Sequence, residues 1–517
     1  MTSRAIFPRT SAAAPRSGIR ARLLTATIAA VALALTAGAA RATTITVTTT
    51  ADDFTNNGNC SLREAFEAAN FNIVRDQCPA GLAGGTDEIV LADGATYSLT
   101  IPFSGPNSGP LVVVNDGAFT DILIRVVNDG EATISQDATP DTRVLVVQAD
   151  AHLKLQDTVI AGGFDATGDG GGGGVFVASG GEVDLERCTV RDNVAQDNGG
   201  GIRVFSGTVV AIDTIFQNNS GAAGGAVSTT GTAPIALIQR CRFQDNRALN
   251  KFGGGGALEI TGQTSVVDSV FLNNLSAGVG GAVSFFNDVA GQSSIVGSCF
   301  VGNQAKFDAK GVHVFAGSVP LAAGSNWWGA SNGPSGAGPG VGDGVNADVN
   351  FSFKLTAPPA ACLPLTLVPN GGFESDVDGD LVPDRWSLGN LVSSSDGLRC
   401  NADGCFLRMT GNGANKVAQQ VIPVHGSAGD VIRFRAKANA QSVPSGAGNF
   451  RAVLSIVFTD STTKEVTLNF TTGTHAFEKL SQNVAASKDY KRILVRLEYS
   501  KPSGSARFDD VAAVLTD

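Results

Sequence analysis

The six residues Cys188–Asn193, CTVRDN, begin a phrase that returns along the chain at nearly constant spacing. Its copies are TIFQNN at Thr214, CRFQDN at Cys241, SVFLNN at Ser269 and CFVGNQ at Cys299, and successive copies start 26, 27, 28 and 30 residues apart. A second phrase, GGGI or GGA followed by Val or Leu, comes after each of the first four copies. Self-similarity at such a period is the sequence signature of a solenoid.

The repeat has the chemistry of strands and turns rather than of helices. Apolar and polar residues alternate over short runs, and Gly and Asn interrupt them, whereas a helical repeat needs apolar spacing near 3.6. Two or three short strands per repeat, each stacked on its copy in the next turn, make a parallel β-helix with turns about 4.8 Å apart. The sequence therefore predicts an all-β fold.

Aligning the copies predicts which side chains face the interior. Each copy starts with a small residue, and an apolar column that includes Phe216, Phe243 and Phe271 follows two positions later. In a strand these two positions share a face, so both columns are predicted to point inward, with Cys299 and Val301 as the last members. Five positions after the small column comes a run of asparagines, which predicts a stacked amide ladder at a turn: Asn193, Asn219, Asn246 and Asn274.

The outward position before the small column alternates in charge from copy to copy. It runs Asp157, Arg187, Asp213, Arg240 and Asp268, followed by Ser298. We interpret this column as a surface ladder that favours the correct stacking register, each pair worth about 0.2–1 kcal/mol. The alternative is an acid/base or sugar-binding strip.

The cysteines divide into two kinds. Cys188, Cys241 and Cys299 share the small column two turns apart, about 9–10 Å at strand spacing. Bridged Cα atoms are rarely more than about 7 Å apart, so these three are predicted to be buried thiols. Cys400 and Cys405 could form a tight bridge, and Cys362 has no evident partner.

The first 42 residues are predicted to be a signal peptide. They carry six Arg and no acid, an apolar run from Leu23 to Thr36, and an A-x-A site at Ala40 to Ala42. The remaining chain then has 31 basic and 47 acidic residues, a formal charge of −16. An acidic body disfavours nucleic acid and anionic membranes. We therefore expect an exported protein, extracellular, cell-surface or periplasmic, with no membrane span after cleavage.

A short helix is predicted to cover the first turn of the β-helix. Within CSLREAFEAAN, Cys60 to Asn70, Ser61 and Glu64 make an S-x-x-E capping box, and apolar residues fall on one face. Covering the open end matters because an exposed sheet edge invites association. Cys60 and Cys78 flank the helix, and a disulfide between them would stabilise the fold by about 3 kcal/mol in the chain-entropy model.

The helix motif and the repeats together resemble a known group of proteins. CSLREAF, followed by GGA[VL] and by FQNN, FQDN and FLNN, resembles bacterial exported β-helix proteins with the CSLREA motif. It is also similar to the repeat region of chlamydial polymorphic outer-membrane proteins. The phrase NWWG at Asn326, followed by Gly333-Pro334, resembles the end of such helices. The resemblance covers about residues 43–355 and implies a right-handed parallel β-helix, with secretion or surface display.

A second domain is predicted after the linker at residues 356–365. Runs such as VIRFRAKA, AVLSIVFTD and RILVRLEY predict antiparallel strands with one wet face, enough for a β-sandwich over 366–517. Its opening PNGGFES…DRWS and closing ARFDDVAAVL resemble jelly-roll carbohydrate-binding modules, which implies a polysaccharide partner. The predicted order is signal peptide 1–42, cap 43–87, β-helix 88–355, linker 356–365 and sandwich 366–517.

The opening of the sandwich also carries a candidate calcium site. Alternate aspartates, Asp376, Asp378 and Asp380, with Asp384 beyond them, converge oxygens as a hard cation requires. The spacing resembles the acidic calcium loops of thrombospondin type-3 repeats. It is not an EF-hand loop, because Leu381 and Ser387 stand where Gly and Glu would be needed. The sequence predicts a structural Ca²⁺ here, with an acidic solvated turn as the alternative.

Three functions fit these features. The favoured one is a non-enzymatic scaffold, adhesive or structural, that presents a glycan-binding module. A polysaccharide lyase or hydrolase acting along the β-helix groove is the alternative, with Asp192 and Asp245 in one turn column as candidate carboxylates. Trp327, Trp328 and Trp386 could hold sugars, although the first two are expected to pack at the end of the β-helix. The third is an envelope component without a ligand.

Overall fold

In the computed structural model, residues 43–516 are described except 105–107, 116–119, 139–141, 166–169, 287–292, 375, 377–379, 393, 402–403 and 423. The predicted signal peptide lies outside these residues. Residues 43–350 form a parallel β-helix of four sheets, and an antiparallel β-sandwich follows it, which confirms the predicted all-β architecture. Within a turn the chain passes through sheets I, II, III and IV in that order.

The long flat sides of the β-helix are sheets I and IV. Sheet I has 11 strands: Thr43–Thr46, Thr86–Leu91, Asp121–Val126, His152–Gln156, Glu182–Glu186, Thr208–Ile212, Ile235–Gln239, Gln263–Val267, Ser294–Val296, Leu321–Ala322 and Val349–Asn350. Sheet IV has 10 strands: Leu111–Val113, Leu145–Val147, Val175–Val177, Ile202–Phe205, Val227–Thr230, Leu258–Thr261, Val283–Phe286, Val312–Val314, Gly342–Val345 and Pro334–Gly336.

Sheets II and III connect these sides. Sheet II has eight strands: Thr96–Leu99, Ala132–Gln136, Thr158–Ala161, Thr189–Arg191, Ile215–Gln217, Arg242–Gln244, Val270–Leu272 and Cys299–Val301. Sheet III has six strands of two residues each: Phe164–Asp165, Val194–Ala195, Ser220–Gly221, Arg247–Ala248, Leu275–Ser276 and Gln304–Ala305. A 3₁₀ turn spans Val127–Asp129.

A stack of aromatic rings runs along the interior behind sheet II. Ring centroids are 4.7 Å apart between Phe216 and Phe243, 4.9 Å between Phe243 and Phe271, and 4.8 Å between Phe271 and Phe300. Trp328 continues the stack at 4.6 Å from Phe300. These centroid spacings equal the separation of stacked strands, so identical side chains in successive turns meet face to face.

The alignment of the last copy was wrong by one residue. Val270 pairs with Cys299, so Phe271 pairs with Phe300, and Ser298 takes the place predicted for Cys299. A slip of one residue reverses every side chain in a strand. Cys299 therefore points outward, where it forms a disulfide with Cys362 instead of being a buried thiol. Cys188 and Cys241 are buried free thiols, as predicted.

Residues with left-handed backbone conformation flank the strands of sheet II on both sides. The five charged residues that precede the small column have φ between 50° and 55°: Asp157, Arg187, Asp213, Arg240 and Asp268. Arg187 pairs with Asp157 at 2.7 Å, and Arg240 pairs with Asp213 at 2.7 Å. Non-glycine residues rarely adopt this conformation, so the ion pairs hold neighbouring corners in a costly backbone state.

The asparagine column is a fully buried amide ladder. Each Asn side chain donates from Nδ2 to the next amide oxygen, at 3.0 Å from Asn219 to Asn246 and 3.0 Å from Asn246 to Asn274. Each amide oxygen also accepts the backbone N–H of the preceding Asn, as Asn246 does from Asn219. Asn303 ends the ladder by donating 2.7 Å to the carboxylate of Asp343.

Asp343 makes stability depend on pH. Burial raises the pKa of its carboxyl to about 7, only partly offset by the hydrogen bonds from Asn303. Because the folded state then holds the proton more tightly than the unfolded state, this group should lower stability as pH rises from about 4 to 7, by up to about 4 kcal/mol. Asp343→Asn is expected to remove that part of the decline. Above pH 7 its free energy of unfolding, measured in urea, should exceed that of the wild type.

A matched variant tests this assignment. Asp348→Asn changes a partly exposed carboxylate five residues away by the same charge and should leave the pH profile as it is. Asp87 and Asp245, whose pKa values burial raises to about 6, should preserve a smaller decline in Asp343→Asn. An unchanged profile in Asp343→Asn would contradict the assignment.

The N-terminal end is covered by helix α1, Leu62–Phe71. Ser61 and Glu64 form the capping box, and the apolar residues of α1 join the β-helix core, including Leu62, Ala65 and Phe66. Arg63 pairs with Asp52 at 2.7 Å, with both side chains almost fully buried. Cys60 and Cys78 form a disulfide with Cα atoms 4.9 Å apart, so the segment after the helix is fixed beside it.

The C-terminal sandwich consists of two antiparallel sheets, introduced by a 3₁₀ turn at Ala360–Cys362. Sheet V has strands Gly397–Asn401, Gly404–Thr410, Ser505–Leu515, Val431–Val443 and Gly473–Ala485, with Leu365–Thr366 paired to Ser505–Leu515. Sheet VI has strands Ser387–Gly389, Lys416–Ile422, Tyr490–Tyr499, Phe450–Phe458 and Thr463–Asn469. A disulfide between Cys400 and Cys405 closes a hairpin of sheet V.

Candidate functional sites

The sandwich is docked on the outer face of sheet II. In the last turns this face is apolar, and Val270, Leu272 and Val301 belong to the same buried cluster as the core of the sandwich. Trp327 and the Cys299–Cys362 disulfide belong to the same cluster. The outer face of the last turns is therefore part of the hydrophobic cluster of the sandwich, separate from the interior of the β-helix.

Buried polar contacts complete this interface. Arg385 donates 2.7 Å to the carbonyl of Asn273, and Arg247 pairs with Asp384 at 2.9 Å. Burial raises the pKa of Asp245 to about 6, and burial lowers the pKa of Arg385 to about 10, while their opposite charges partly compensate. Buried charges are tolerated when they are paired, so each domain needs the other at this surface.

The docking excludes the predicted catalytic pair. Asp245 is 7% exposed and lies beneath the sandwich, whereas Asp192 is at the surface, paired with Arg191 at 2.6 Å. A glycosidic bond must lie between two accessible carboxylates. The proposal that Asp192 and Asp245 act together is therefore wrong.

The aspartates of the predicted calcium loop have mixed surroundings. Asp376 accepts the N–H of Leu381 at 3.1 Å and Asp380 accepts the N–H of Val382 at 2.8 Å, so both carboxylates fold back on the same turn. Asp384 faces Arg247 across the domain interface. Asp378 lies outside the described residues.

The tryptophans and tyrosines are all buried. Trp328 ends the interior stack, Trp327 lies in the docking interface, and Trp386 donates 3.0 Å to the carbonyl of Asn370 and packs against Phe373. Tyr97, Tyr490 and Tyr499 are likewise in the cores. The sequence contains three Trp and three Tyr residues and all six are buried, so sugar stacking on Trp or Tyr is excluded in this conformation.

A polar column that sequence reasoning missed lies on the outer face of sheet IV. Arg203, Ser228 and Glu259 are in register on successive strands. Arg203 donates 2.7 Å to the Ser228 hydroxyl, which donates 2.8 Å to Glu259, and Asn198 donates 2.9 Å to the same carboxylate oxygen. The available signal was the residue directly after each GG phrase: GGGIR, GGAVS, GGALE.

This column is a charged pair held under loops. Arg203 is 9% exposed and Glu259 is 8% exposed. Burial raises the pKa of Glu259 and lowers the pKa of Arg203, and their mutual attraction works against both shifts. A carboxylate of raised pKa beside a guanidinium has the chemistry of a general acid or of an anchor for a polar ligand.

The two outer faces of the sandwich differ in charge. On sheet VI two of the arginines are neutralised in place: Arg451 pairs with Glu498 at 2.7 Å, and Arg496 pairs with Glu465 at 2.8 Å and Glu498 at 3.1 Å, whereas Arg492 is exposed. On sheet V six basic side chains alternate with buried residues and so point outward: Arg408, Arg433, Arg435, Lys437, Lys479 and Arg507. Among the described residues of the sheet V strands, the only acidic side chains on this outer face are Asp509 and Asp510.

Comparisons agree with this architecture. A family model described as the right handed beta helix region matches residues 173–334, within the four-sheet domain. No curated protein sequence matches this chain. No helix in the described part of the chain is both long and apolar enough to cross a bilayer.

Solved structures similar to parts of the chain include two carbohydrate-binding modules and a phage protein. "Family 16 Carbohydrate Binding Module-2" has 10% identity and a TM-score of 0.19, covering 23% of this chain and 84% of that one. The CBM22-1 xylan-binding domain from Paenibacillus barcinonensis Xyn10C has 12% identity and a TM-score of 0.23, covering 30% and 97%. The enzymatically active domain of Bacteriophage CBA120 tailspike protein 4 has 10% identity and a TM-score of 0.24, covering 84% and 64%. Identities and scores this low transfer no function to this chain.

Proposed function

We propose that this chain is an exported, non-enzymatic surface scaffold whose C-terminal sandwich binds a polysaccharide. The observation that carries the proposal is the outer face of sheet V, which is open and polar. Arg433, Gln441 and Asn483 are exposed on it, and Asn439 is half-buried beside them. Amide and guanidinium groups on a rigid sheet are the hydrogen-bonding partners that sugar hydroxyls and acidic groups need.

The docked interface supports a scaffold role. The core of the sandwich packs on the outer face of the last β-helix turns, and the Cys299–Cys362 disulfide ties the two domains together. Its sheet V is therefore presented at a fixed orientation, so binding does not carry the entropy cost of ordering a loosely attached module. A rigid β-helix that carries a fixed binding face is suited to adhesion.

The experiment is a panel of neutral and acidic polysaccharides tested against the full chain for both binding and cleavage. Saturable binding without new reducing ends or unsaturated-uronate absorbance supports the scaffold. Absence of binding to every member contradicts it and leaves the purely structural role.

A second candidate, polysaccharide cleavage, is favoured by the Arg203–Ser228–Glu259 column. Burial keeps a proton on Glu259 to higher pH than usual, and Asp197 is close enough to act on the pKa values of both Glu259 and Arg203. A lyase or hydrolase along the outer face of sheet IV would use these groups. If the wild type cleaves a polysaccharide of the panel, and Glu259→Gln still binds that polysaccharide but no longer cleaves it, the protein is an enzyme instead.

We also propose that Ca²⁺ binds the loop of Asp376, Asp378, Asp380 and Asp384. The carboxylates of Asp376 and Asp380 lie on one tight turn, whereas Asp384 would have to leave Arg247 to become a ligand. A ligand that binds only the folded state raises stability, by about 2.7 kcal/mol at 100 times its Kd. Adding a chelator to a Ca²⁺-loaded sample is therefore expected to lower Tm, and Asp380→Asn should abolish the effect. An unchanged Tm together with no bound metal would contradict the site.

A further inference from the structure

We propose that the outer face of sheet V selects an anionic polysaccharide, one that carries carboxylate or sulfate groups. This inference rests on the proposed function and specifies its ligand. It is carried by the separation of charge within the chain, by the shortage of acidic partners for the basic side chains, and by the burial of every Trp and Tyr.

Charge is distributed unevenly between the domains. Residues 366–517 contain 16 basic and 16 acidic residues, so the formal charge of −16 after residue 42 falls on residues 43–365. Within the neutral sandwich six of the 16 basic residues lie on the outer face of sheet V, with two acids among them. A basic face on an acidic protein is the region that a polyanion can approach, since the rest of the surface repels it.

The positive charge on this face exceeds the acids that could neutralise it. Asp510 alone is shared by Arg435 at 3.1 Å, Lys437 at 3.4 Å and Lys479 at 3.4 Å. One carboxylate cannot neutralise three cations, so this cluster keeps positive charge. The second acid on the face, Asp509, lies opposite Lys437 on the neighbouring strand, so the two acids face six basic side chains.

Three arginines on the face have no ion-pair partner within the described residues. Arg408 and Arg507 are cross-strand neighbours, and Arg433 is exposed two positions from Arg435. The guanidinium of Arg507 lies over the ring of Phe406, 4.7 Å from its centroid, which holds its planar fork in place. A preorganised guanidinium matches the two oxygens of a carboxylate or sulfate better than it matches a hydroxyl.

The spacing of these groups suits a chain with repeated charges. Arg408, Arg507 and Asn439 form one row across three strands, and Asp509, Lys437 and Lys479 form the next row. Neighbouring strands are about 4.8 Å apart, and the rows are about 6.8 Å apart along the strand. Cationic groups at these intervals, interleaved with amides, can meet acidic groups and hydroxyls along one polymer.

Neutral glycans and nucleic acids fit the face less well. A neutral glycan is usually held by an exposed Trp or Tyr ring, and a single nucleic-acid strand by base stacking on such rings, but every Trp and Tyr is buried. Duplex DNA would bring its dense charge against the acidic β-helix. The anionic polysaccharide is therefore the occupant that the observations favour.

The test compares two variants of equal charge in the full chain. Arg408→Gln with Arg433→Gln removes two unpaired arginines from sheet V, and Lys491→Gln with Arg492→Gln removes two cations from a strand of sheet VI. The probes are polygalacturonate, dextran sulfate, neutral dextran and a duplex DNA. We expect the first variant to bind polygalacturonate or dextran sulfate about tenfold more weakly, the control to match the wild type, and wild-type binding to weaken with salt.

Each other outcome is decisive. Equal binding of dextran and the acidic polymers, or equal loss in both variants, would overturn the charge selectivity while leaving polysaccharide binding intact. Tighter binding of DNA than of either acidic polysaccharide would reassign the face to nucleic acid. Failure of all three polysaccharides would overturn the proposed function itself. Matching Tm values for both variants and the wild type would show that any loss arises at the face rather than from unfolding.

Discussion

Replacing Phe243 by alanine is expected to lower the free energy of unfolding of the β-helix by about 3–5 kcal/mol. The Phe243 ring is fully buried and stacks on Phe216 and Phe271 at 4.7 and 4.9 Å, so its removal breaks two ring contacts at once. The neighbouring turns are locked by strand hydrogen bonds and by the asparagine ladder, so they cannot close the cavity. Urea unfolding followed by circular dichroism measures the loss.

Phe252 provides the matched control for this substitution. It is 81% exposed, and Phe252→Ala removes a ring of the same size from the surface of the neighbouring loop. Its effect should stay within about 0.5 kcal/mol. If Phe243→Ala were as mild as Phe252→Ala, the interior stack would not contribute as described.

The second large effect is expected at the bond between the domains. Replacing Cys299 and Cys362 with serine opens a link between residues 63 positions apart, worth about 4 kcal/mol in the chain-entropy model. The sandwich should remain docked through its apolar contacts, but the junction should open more often. The observable results are a lower unfolding midpoint and faster proteolysis within residues 356–365.

The hairpin disulfide of sheet V serves for comparison. Cys400 and Cys405 are five positions apart, so their serine variants should lose only about 2 kcal/mol by the same model and leave the linker protected. Proteolysis of the linker at the wild-type rate in the Cys299 and Cys362 double variant would show that the disulfide does not restrain the junction.

The columns of the β-helix could be predicted because stacked turns make each position repeat. Phe216, Phe243 and Phe271 could be assigned to the interior from their spacing alone, and so could the buried asparagines. The error came in the last turn, where Cys299 resembles the cysteines that begin earlier copies. Aligning Asn303 with the asparagine ladder would have given the correct register and placed Phe300 inside.

The domain interface could not be predicted, because it depends on residues far apart in the chain. Arg247 and Asp384 meet across 137 positions, and nothing near either residue indicates the other. Val270 and Leu272 are apolar at outward positions, which a repeat pattern alone cannot distinguish from ordinary surface variation. Asp245 was mistaken for a candidate catalyst because its burial depends on the sandwich.

The surfaces were missed for a related reason. The Arg203–Ser228–Glu259 column becomes visible only when loops that differ in length are placed over sheet IV. The basic face of sheet V requires the register of three strands that are distant in sequence, as Arg408, Arg507 and Asn439 show. Alternation within one strand indicates a wet face, but it does not indicate which charges share that face.

The position of the Cys299–Cys362 bond has a mechanical consequence. Tension applied to the sandwich by an attached ligand would enter the β-helix through Cys299 on its last sheet II strand, bypassing the chain between Val349–Asn350 and Cys362. The pull would then be spread as shear over the ladder of parallel strands instead of peeling the terminal turn away. A force on the sandwich would thus reach the β-helix without first unravelling its last turn.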